Sequence, residues 1–346
     1  MKARVYLDPF VLACPSPEEG LHEFDLYITN IIGWSQLKNN DWISLCLPEQ
    51  TTNVLFQSNK YPIWADLTTA IKALGIYDIQ PQDVITLVNN LLRDVPSIES
   101  EVGISEILLN KVTCTPSEHL KNRLDVFVEH HQRILAFMSL VCSIFNVKEK
   151  EQVLITRQIS DAYMEISVTG QVVDAQVEKP IASLQLPVDF RNDFGACSCI
   201  SGLFLLLDPV YIWLNAENIE GFTKAIDVAL HQALYYKGIN EPDVNVYKWK
   251  MGPKLLDTAK KNGFLKQENK VKELLRACVE VILKENMRDT HGLRNGKGAN
   301  APQVCRGVDL AWRRDIDYEY HLHYWETASG PELAAIVVHN DMSIPS

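Results

Sequence analysis

The densest chemistry in the chain lies in CRGVDLAWRRDIDYEYHLHYWETASGPELAAIVVHND, Cys305 to Asp341. From Trp312 to Trp325 the residue types alternate with the period of a strand. Trp312, Arg314, Ile316, Tyr318, Tyr320, Leu322 and Tyr324 fall on one side, and Arg313, Asp315, Asp317, Glu319, His321, His323 and Trp325 on the other. The first side is mostly apolar and the second titrates. Glu326 to Pro331 carries turn residues, and Glu332 to His339 reads as a second, more buried strand, so the pair is expected to form a β-hairpin. Imidazoles and guanidiniums on one surface can move protons and hold phosphate. With His neutral, however, that face sets Arg313 against Asp315, Asp317 and Glu319, which repels an anion unless the histidines are protonated or a cation is bound. A divalent metal on Asp315, Asp317, Glu319, His321 and His323 is a further possibility. Residues of one face lie roughly 7 Å apart along a strand, so such a site needs His339 or Asp341 from elsewhere. Solvated sheet faces alternate charge in the same way, and that plain alternative stays open.

Two other places hold candidate groups. The loop His291 to Gly298 (HGLRNGKG), with Arg288, Arg294, Lys297 and Arg306 around it, is the one local positive patch, and its glycines let backbone amides turn toward phosphate. Near the start, a strand ending at Asp8 is followed by a helix and then by a second strand, Trp42 to Leu47, with Glu49 just beyond it. In a parallel sheet, the crevice at the carboxyl ends of the strands is where ligands bind.

The elements that must position these groups fall into three segments. Residues 1–112 alternate strand and helix: Leu21 to Leu37 has mostly helical spacing, Tyr61 to Leu74 stops at Gly75, and Pro81 opens a helix with Val84, Leu87, Val88, Leu91 and Leu92 on one face. An α/β domain with a parallel sheet is expected there. Residues 113–242 combine a helix from Ser117 to Phe145, which carries His130 and His131, with strands at Gln152–Gln158, Tyr163–Val168, Val172–Val177, Ile181–Leu186 and Leu203–Leu207, followed by a helix from Asn218 to Tyr236. Ile239 to Asp243 (INEPD) reads as the linker to residues 243–346, where helices at Pro253–Asn262 and Gln267–Asn286 precede the hairpin. The fold class expected is a multidomain α+β chain.

Composition narrows the function. The 346 residues carry a net charge of -11, and 47% are apolar. Residues 1–242 hold 30 Asp and Glu against 17 Lys and Arg, while residues 243–346 hold 14 against 16, so any nucleic-acid contact belongs at the C-terminal end. The eight cysteines are scattered, and the C-x-C of Cys197 and Cys199 has no second pair at zinc-finger spacing. No run has the length of a membrane span and no secretory leader is evident, so the chain is expected to be cytoplasmic, with no membrane partner. The phosphate loop of NTPases, the dinucleotide fingerprint G-x-G-x-x-G, H-E-x-x-H and G-x-S-x-G are all missing.

The run Trp312-Arg313-Arg314-Asp315-Ile316-Asp317-Tyr318-Glu319-Tyr320-His321-Leu322-His323-Tyr324 resembles the W-x-R-x-I-x-x-E-x-x-L-x-Y strand of the RelE/YoeB/ParE-type bacterial toxins. Gly307 to Leu310 and Val337-Val338-His339 are similar to its flanks. The resemblance covers about the last hundred residues. It implies a small RelE-like α+β domain that cleaves RNA at the ribosome without a cofactor. Arg313 or Arg314 would then bind phosphate, His339 would act as general acid or base, and His321 or His323 would supply the second proton-transfer group. This chain departs from the pattern at Asp315 and His321, where the toxins carry further arginines. The N-terminal segment looks like the opening of PIN-type nucleases, which implies Mg2+ or Mn2+ on Asp8 and Glu49 with Asp66, Asp83 or Asp94 as a third ligand. The function expected is a toxin-like or phage-defence protein whose C-terminal domain binds or cleaves RNA, held with a protein partner encoded nearby. The alternatives are a non-catalytic scaffold of a defence complex and a metal-dependent nuclease acting through the N-terminal carboxylates.

Overall fold

The computed structural model describes residues 2–38, 40, 42–159, 161–178, 181, 183–239, 242–295 and 301–345. The chain forms two compact units, Met1–Leu207 and Asp208–Ser346. Each is a mixed α and β body with its own sheet.

In unit 1, β1 (Ala3–Leu7), β2 (Ile43–Cys46), β3 (Ile104–Thr115), β4 (Gln152–Ile155), β5 (Tyr163–Val177) and β6 (Val188–Cys197) form one sheet in the order β2-β1-β4-β6-β5-β3. β2, β1, β4 and β6 run parallel, and β5 and β3 continue the sheet antiparallel. β1 and β4 are short apolar runs buried almost throughout, as strands covered on both faces must be. The helix Asp125–Phe145 packs on β3, β5 and β6, and residues 134–141 of it are buried without a break. The core joins that helix to Ile166, Val168, Val172 and Phe194 of the sheet.

The middle segment is therefore no separate layer, because its strands extend the N-terminal sheet. Gly170 lies inside β5 instead of turning the chain, and β3 and β6 are strands that the spacing had left unassigned. Leu203–Leu207 is not a strand: Ile200–Leu206 is helical, with the Cys199 thiol accepting from the Gly202 amide. Ile181 and Ser183–Leu186 form no strand among the described residues. Ser117 precedes a short 3-10 turn, and the long helix begins only at Asp125. The boundary between units falls at Leu207 rather than in Ile239–Asp243, of which Asn240 and Glu241 lie outside the described residues. The helix Ile219–Tyr236 packs on Pro209–Asn215 and Glu268–Leu283, which draws it into unit 2.

In unit 2, β7 (Lys250–Met251), β8 (Thr290–Gly292), β9 (Cys305–Arg306), β10 (Asp309–Asp315), β11 (Tyr320–Thr327) and β12 (Gly330–Val338) form the second sheet. Its order is β7-β12-β11-β10-β8, with β9 beside β10. The alternating run Trp312–Trp325 is not one strand. It folds back at Ile316–Glu319, where the Asp317 carboxylate accepts from the amides of Glu319 and Tyr320 at 2.7 and 2.8 Å, an Asx turn. The faces survive this reversal. Arg313 pairs with His323 and Asp315 with His321, so odd-numbered residues still meet odd-numbered ones across the hairpin. The helix Leu255–Lys261 packs on β12 and the helix Glu268–Leu283 on β10, β11 and β12, where Arg314 of the even face meets Glu280. No helix among the described residues is long and apolar enough to cross a membrane.

Candidate functional site

Two clusters of titratable side chains stand out, one in each unit. In unit 1, Leu7 and Ile155 are neighbours in register, so Asp8 and Thr156 follow them at the carboxyl ends of adjacent parallel strands. β1 lies between β2 and β4, the crevice position of an open α/β sheet. Asp8 is wholly buried there, and its carboxylate is fully engaged. One oxygen accepts from Arg123 at 2.8 Å, Thr156 Oγ1 at 2.7 Å and His131 Nδ1 at 2.8 Å, and the other from the Phe10 amide at 3.0 Å. Arg123 also donates to Thr156 Oγ1 and to the Arg157 carbonyl and lies over the Phe10 ring, while His131 Nε2 meets His119 Nε2 at 3.1 Å. Burial alone would push the Asp8 carboxyl up; the Arg123 guanidinium and the His131 hydrogen bond outweigh it and hold the group well below the usual carboxylate range. Burial pushes His119 down to about 4, with His131 and Arg123 adding to the effect.

This arrangement does not suit a divalent cation, because a guanidinium already balances the Asp8 charge. Glu49 is exposed, and its amide donates to the buried Glu99. Asp66 and Asp83 are exposed in the first turns of helices, and Asp94 pairs with Arg93 and Lys38. Among the described residues no group of three or more His, Cys, Asp or Glu side chains could hold a metal ion. Asp315, Asp317, Glu319, His321, His323, His339 and Asp341 likewise form no such group.

In unit 2, Arg314 lies on the even face and is buried. It pairs with Glu280 and donates to the Asn286 carbonyl and Thr290 Oγ1, so it anchors the sheet on the helix Glu268–Leu283 and is closed to a ligand. Arg306 is held by Asp309 at 3.2 Å and Glu332 at 2.8 Å and stacks over Trp325, so its charge is already neutralised. Arg294 is exposed and donates to the Ala301 carbonyl, and Lys297 lies outside the described residues.

The odd face differs. His321 is 1% exposed, and its Nε2 lies 3.0 Å from Asp315 Oδ1, but neither ring nitrogen has a hydrogen-bond partner. Its ring centroid lies 4.5 Å from that of the exposed His339, whose amide donates to the Glu319 carbonyl. Burial pushes His321 down to about 4 against the upward pull of Asp315, so its imidazole is neutral at pH 7. His323 is buried beside it, with Nδ1 donating to the Ser343 carbonyl at 2.8 Å, which leaves Nε2 unpartnered. Arg313 is half-buried, its Nη1 reaches the Met342 thioether at 3.8 Å, and its Nε has no partner. Leaving a buried donor or acceptor unmade costs ~1–3 kcal/mol, so this cluster is under-satisfied in a way that a bound polar group would relieve.

Protein-family models, curated proteins and solved structures were compared with the chain, and none matches it. The reading of the site therefore rests on its geometry. Arg313, Asp315, His321, His323 and His339 come together; Arg294, Arg306 and Arg314 are engaged elsewhere. Spacing missed Arg123 and Thr156 as partners of Asp8, since nothing local marks residues that meet across more than a hundred positions, and it missed His119 as the partner of His131. Glu280 left a signal: an acid inside the run ACVEVIL of an otherwise apolar helix face asks for a buried cation.

Proposed function

We propose that unit 2 binds and cleaves RNA by acid–base catalysis at Arg313, Asp315, His321 and His339. The observation that carries this reading is His321, a buried imidazole whose Nδ1 has no partner and whose Nε2 lies 3.0 Å from the Asp315 carboxylate out of hydrogen-bond alignment, set beside a second, solvent-facing histidine. His321 is buried in this state, so the site must first open; neutral His321 then accepts the proton of a ribose 2'-hydroxyl, and Asp315 stabilises the imidazolium that forms. The 2'-oxygen attacks phosphorus, the P–O5' bond breaks, and His339 protonates the departing 5'-oxygen. The products are a 2',3'-cyclic phosphate and a 5'-hydroxyl. Arg313 stabilises the charge that builds on the phosphorane oxygens. Arg314, buried against Glu280, holds the hairpin and takes no part in the chemistry. The resemblance to RelE-type toxins supports the same substrate class, with the ribosome as the setting; in a cell the activity would be toxin-like and would serve phage defence under the control of a protein partner.

A second reading, a non-catalytic interaction subunit, is favoured by one feature of unit 1. Phe56 and Tyr61 stack at 4.2 Å with Phe56 more than half exposed, and Trp64, three residues after Tyr61, is more than half exposed as well, the kind of exposed aromatic surface that marks interaction sites.

The test uses the purified full chain and a short single-stranded RNA in the presence of a chelator. The reading expects cyclic-phosphate ends, no cut at a 2'-deoxy position, and loss of cleavage in His339→Ala and Arg313→Ala. Cleavage that survives both substitutions, or that persists at the 2'-deoxy position, rules it out.

A further inference from the structure

We infer that Asp341–Pro345 form an autoinhibitory strap that covers Arg313 and His323 and must lift before a polyanion can reach them. The inference rests on the proposed function, since it concerns access to that same site. After β12 the Asp341 amide bonds back to the Val338 carbonyl, and the Ser343 amide donates to the Asp341 carboxylate at 2.8 Å, so the chain turns and runs over the odd face of β10 and β11. Successive residues then meet successive groups of that face. Met342 takes Arg313, the Ser343 carbonyl takes His323 Nδ1, Ile344 packs against the cluster of Leu293, Ala311, Trp325 and Ala334, and the Pro345 carbonyl takes Trp325 Nε1 at 2.7 Å.

The chemistry of these contacts argues for a placeholder. A thioether is a poor acceptor for a guanidinium, which pairs far better with the oxygens of a phosphate. Asp341 brings a carboxylate into electrostatic reach of His323, so the strap carries the sign of charge that the substrate would carry. Met342 and Ser343 are exposed, and Ile344 is only partly buried where it packs on the cluster, so few contacts must break for the segment to lift.

The experiment compares the full chain with a chain ending at Asn340 and with full-length Ile344→Asp, which loosens the strap without shortening it. Circular dichroism confirms the fold, and if the shortened chain unfolds, Ile344→Asp decides. Two readouts are taken: acylation of His323 by diethylpyrocarbonate, located by mass spectrometry, and affinity for a fluorescent single-stranded RNA. If the strap is open about a tenth of the time, both variants gain His323 reactivity and bind RNA ~10-fold tighter, because apparent affinity scales with the competent fraction. Arg313→Ala in either background removes the gain in RNA affinity and leaves the gain in His323 reactivity. His323 that stays unreactive in Ile344→Asp overturns the strap. So does a reactive His323 with unchanged RNA affinity, when the full chain binds RNA through Arg313; the site then stands and Asp341–Pro345 are packing only. If no variant binds RNA, the site itself fails, and its regulation with it.

Discussion

Asp8, Arg123, His131 and His119 in unit 1 and Asp315, Arg313, His321 and His339 in unit 2 are the same residue types in two different states. In the first group every carboxylate lone pair facing a neighbour is used, the guanidinium lies against the acid, and the network is sealed beneath the ends of β1 and β4. In the second the acid is half open, the central imidazole has no hydrogen-bond partner, and the outer histidine faces water. Residue type thus says little about role until burial and satisfaction are known. In the first network the acid and the guanidinium neutralise each other, and what is left over is His119 Nδ1 and Arg123 Nε; in the second the orphaned atoms include both nitrogens of the central imidazole and the guanidinium has no acid, and such a cluster can act on something else.

The comparison predicts opposite consequences for the same kind of substitution. Asp8→Ala leaves Arg123 buried without its counter-charge, and breaking a buried pair in this way costs ~3–5 kcal/mol. Urea unfolding of the purified variant should show it, with Arg123→Ala similarly destabilised. If Asp8→Ala proves as stable as the parent chain, the claim that this network holds unit 1 together is lost. Arg314→Ala should also destabilise, but by less than Asp8→Ala, since Glu280 keeps Arg276 as a partner while the Asn286 carbonyl and Thr290 lose a donor, whereas Arg313→Ala, one position along the strand, should stay within ~0.5 kcal/mol of the parent. A large loss of stability in Arg313→Ala would place it among the structural groups and remove it from the site.

The next effect is on rate. His339→Ala should lower RNA cleavage ~10²-fold, the lower end of what a general acid contributes, with the unfolding midpoint unchanged. His119→Ala, its counterpart in unit 1, should leave the rate of the folded protein alone. Equal losses from the two would erase the distinction between the clusters.

Below that lies a pH effect common to both units. His119 and His321 both have folded-state pKa values pushed down to about 4 by burial. The unfolded chain takes up these protons near its ordinary pKa of ~6.5, while the folded chain resists them until about 4. Their contribution to stability is therefore full above pH 6.5, falls as the pH is lowered through that window, and levels off below about 4. His119 faces His131, Arg123 and Asp8, and His321 faces Asp315, Arg313, His339 and His323. Asp8 acts lower still, its contribution being lost only below the ordinary carboxylate pKa. Denaturant midpoints measured between pH 7 and 4.5 should fall in the parent chain and flatten in part in His119→Gln and again in His321→Gln. A midpoint that does not move across this range contradicts the burial of both.

How much of this was written in the sequence differs between the clusters for a physical reason. The odd and even faces of the C-terminal hairpin were legible from alternation alone. They survived an unforeseen turn at Asp317 because its length preserved their parity. The turn itself went unread, since Asp317-Tyr318-Glu319 fits a strand as well as an Asx turn. The parallel start of unit 1 was legible in β1 and β2, but the reach of its sheet through β5 and β6 depends on pairings far apart in the chain. The Asp8 network is invisible locally for the same reason. His131 showed only as one of two neighbouring histidines within a helix, and its partners Asp8 and His119 arrive from a strand end and a 3-10 turn.

The smallest predicted change is the one that best separates a basic residue from a phosphate-binding one. Arg306 stands in the positive region that composition marked out, yet its guanidinium is shared between Asp309 and Glu332. Solvent-accessible pairs at the surface contribute ~0–1 kcal/mol, and these part-buried ones little more, so Arg306→Ala should move the unfolding midpoint slightly, partly through the lost stacking on Trp325. RNA affinity should not fall, and with two carboxylates released near the sheet edge its salt dependence should stay within one counterion of the parent. Arg313→Ala, by contrast, should weaken binding and flatten the salt dependence, because its charge is not matched by an acid. Should Arg306→Ala cost more affinity than Arg313→Ala, the polyanion path would run along β9 instead of across His321 and His339, and the proton-transfer assignment would have to be abandoned along with it.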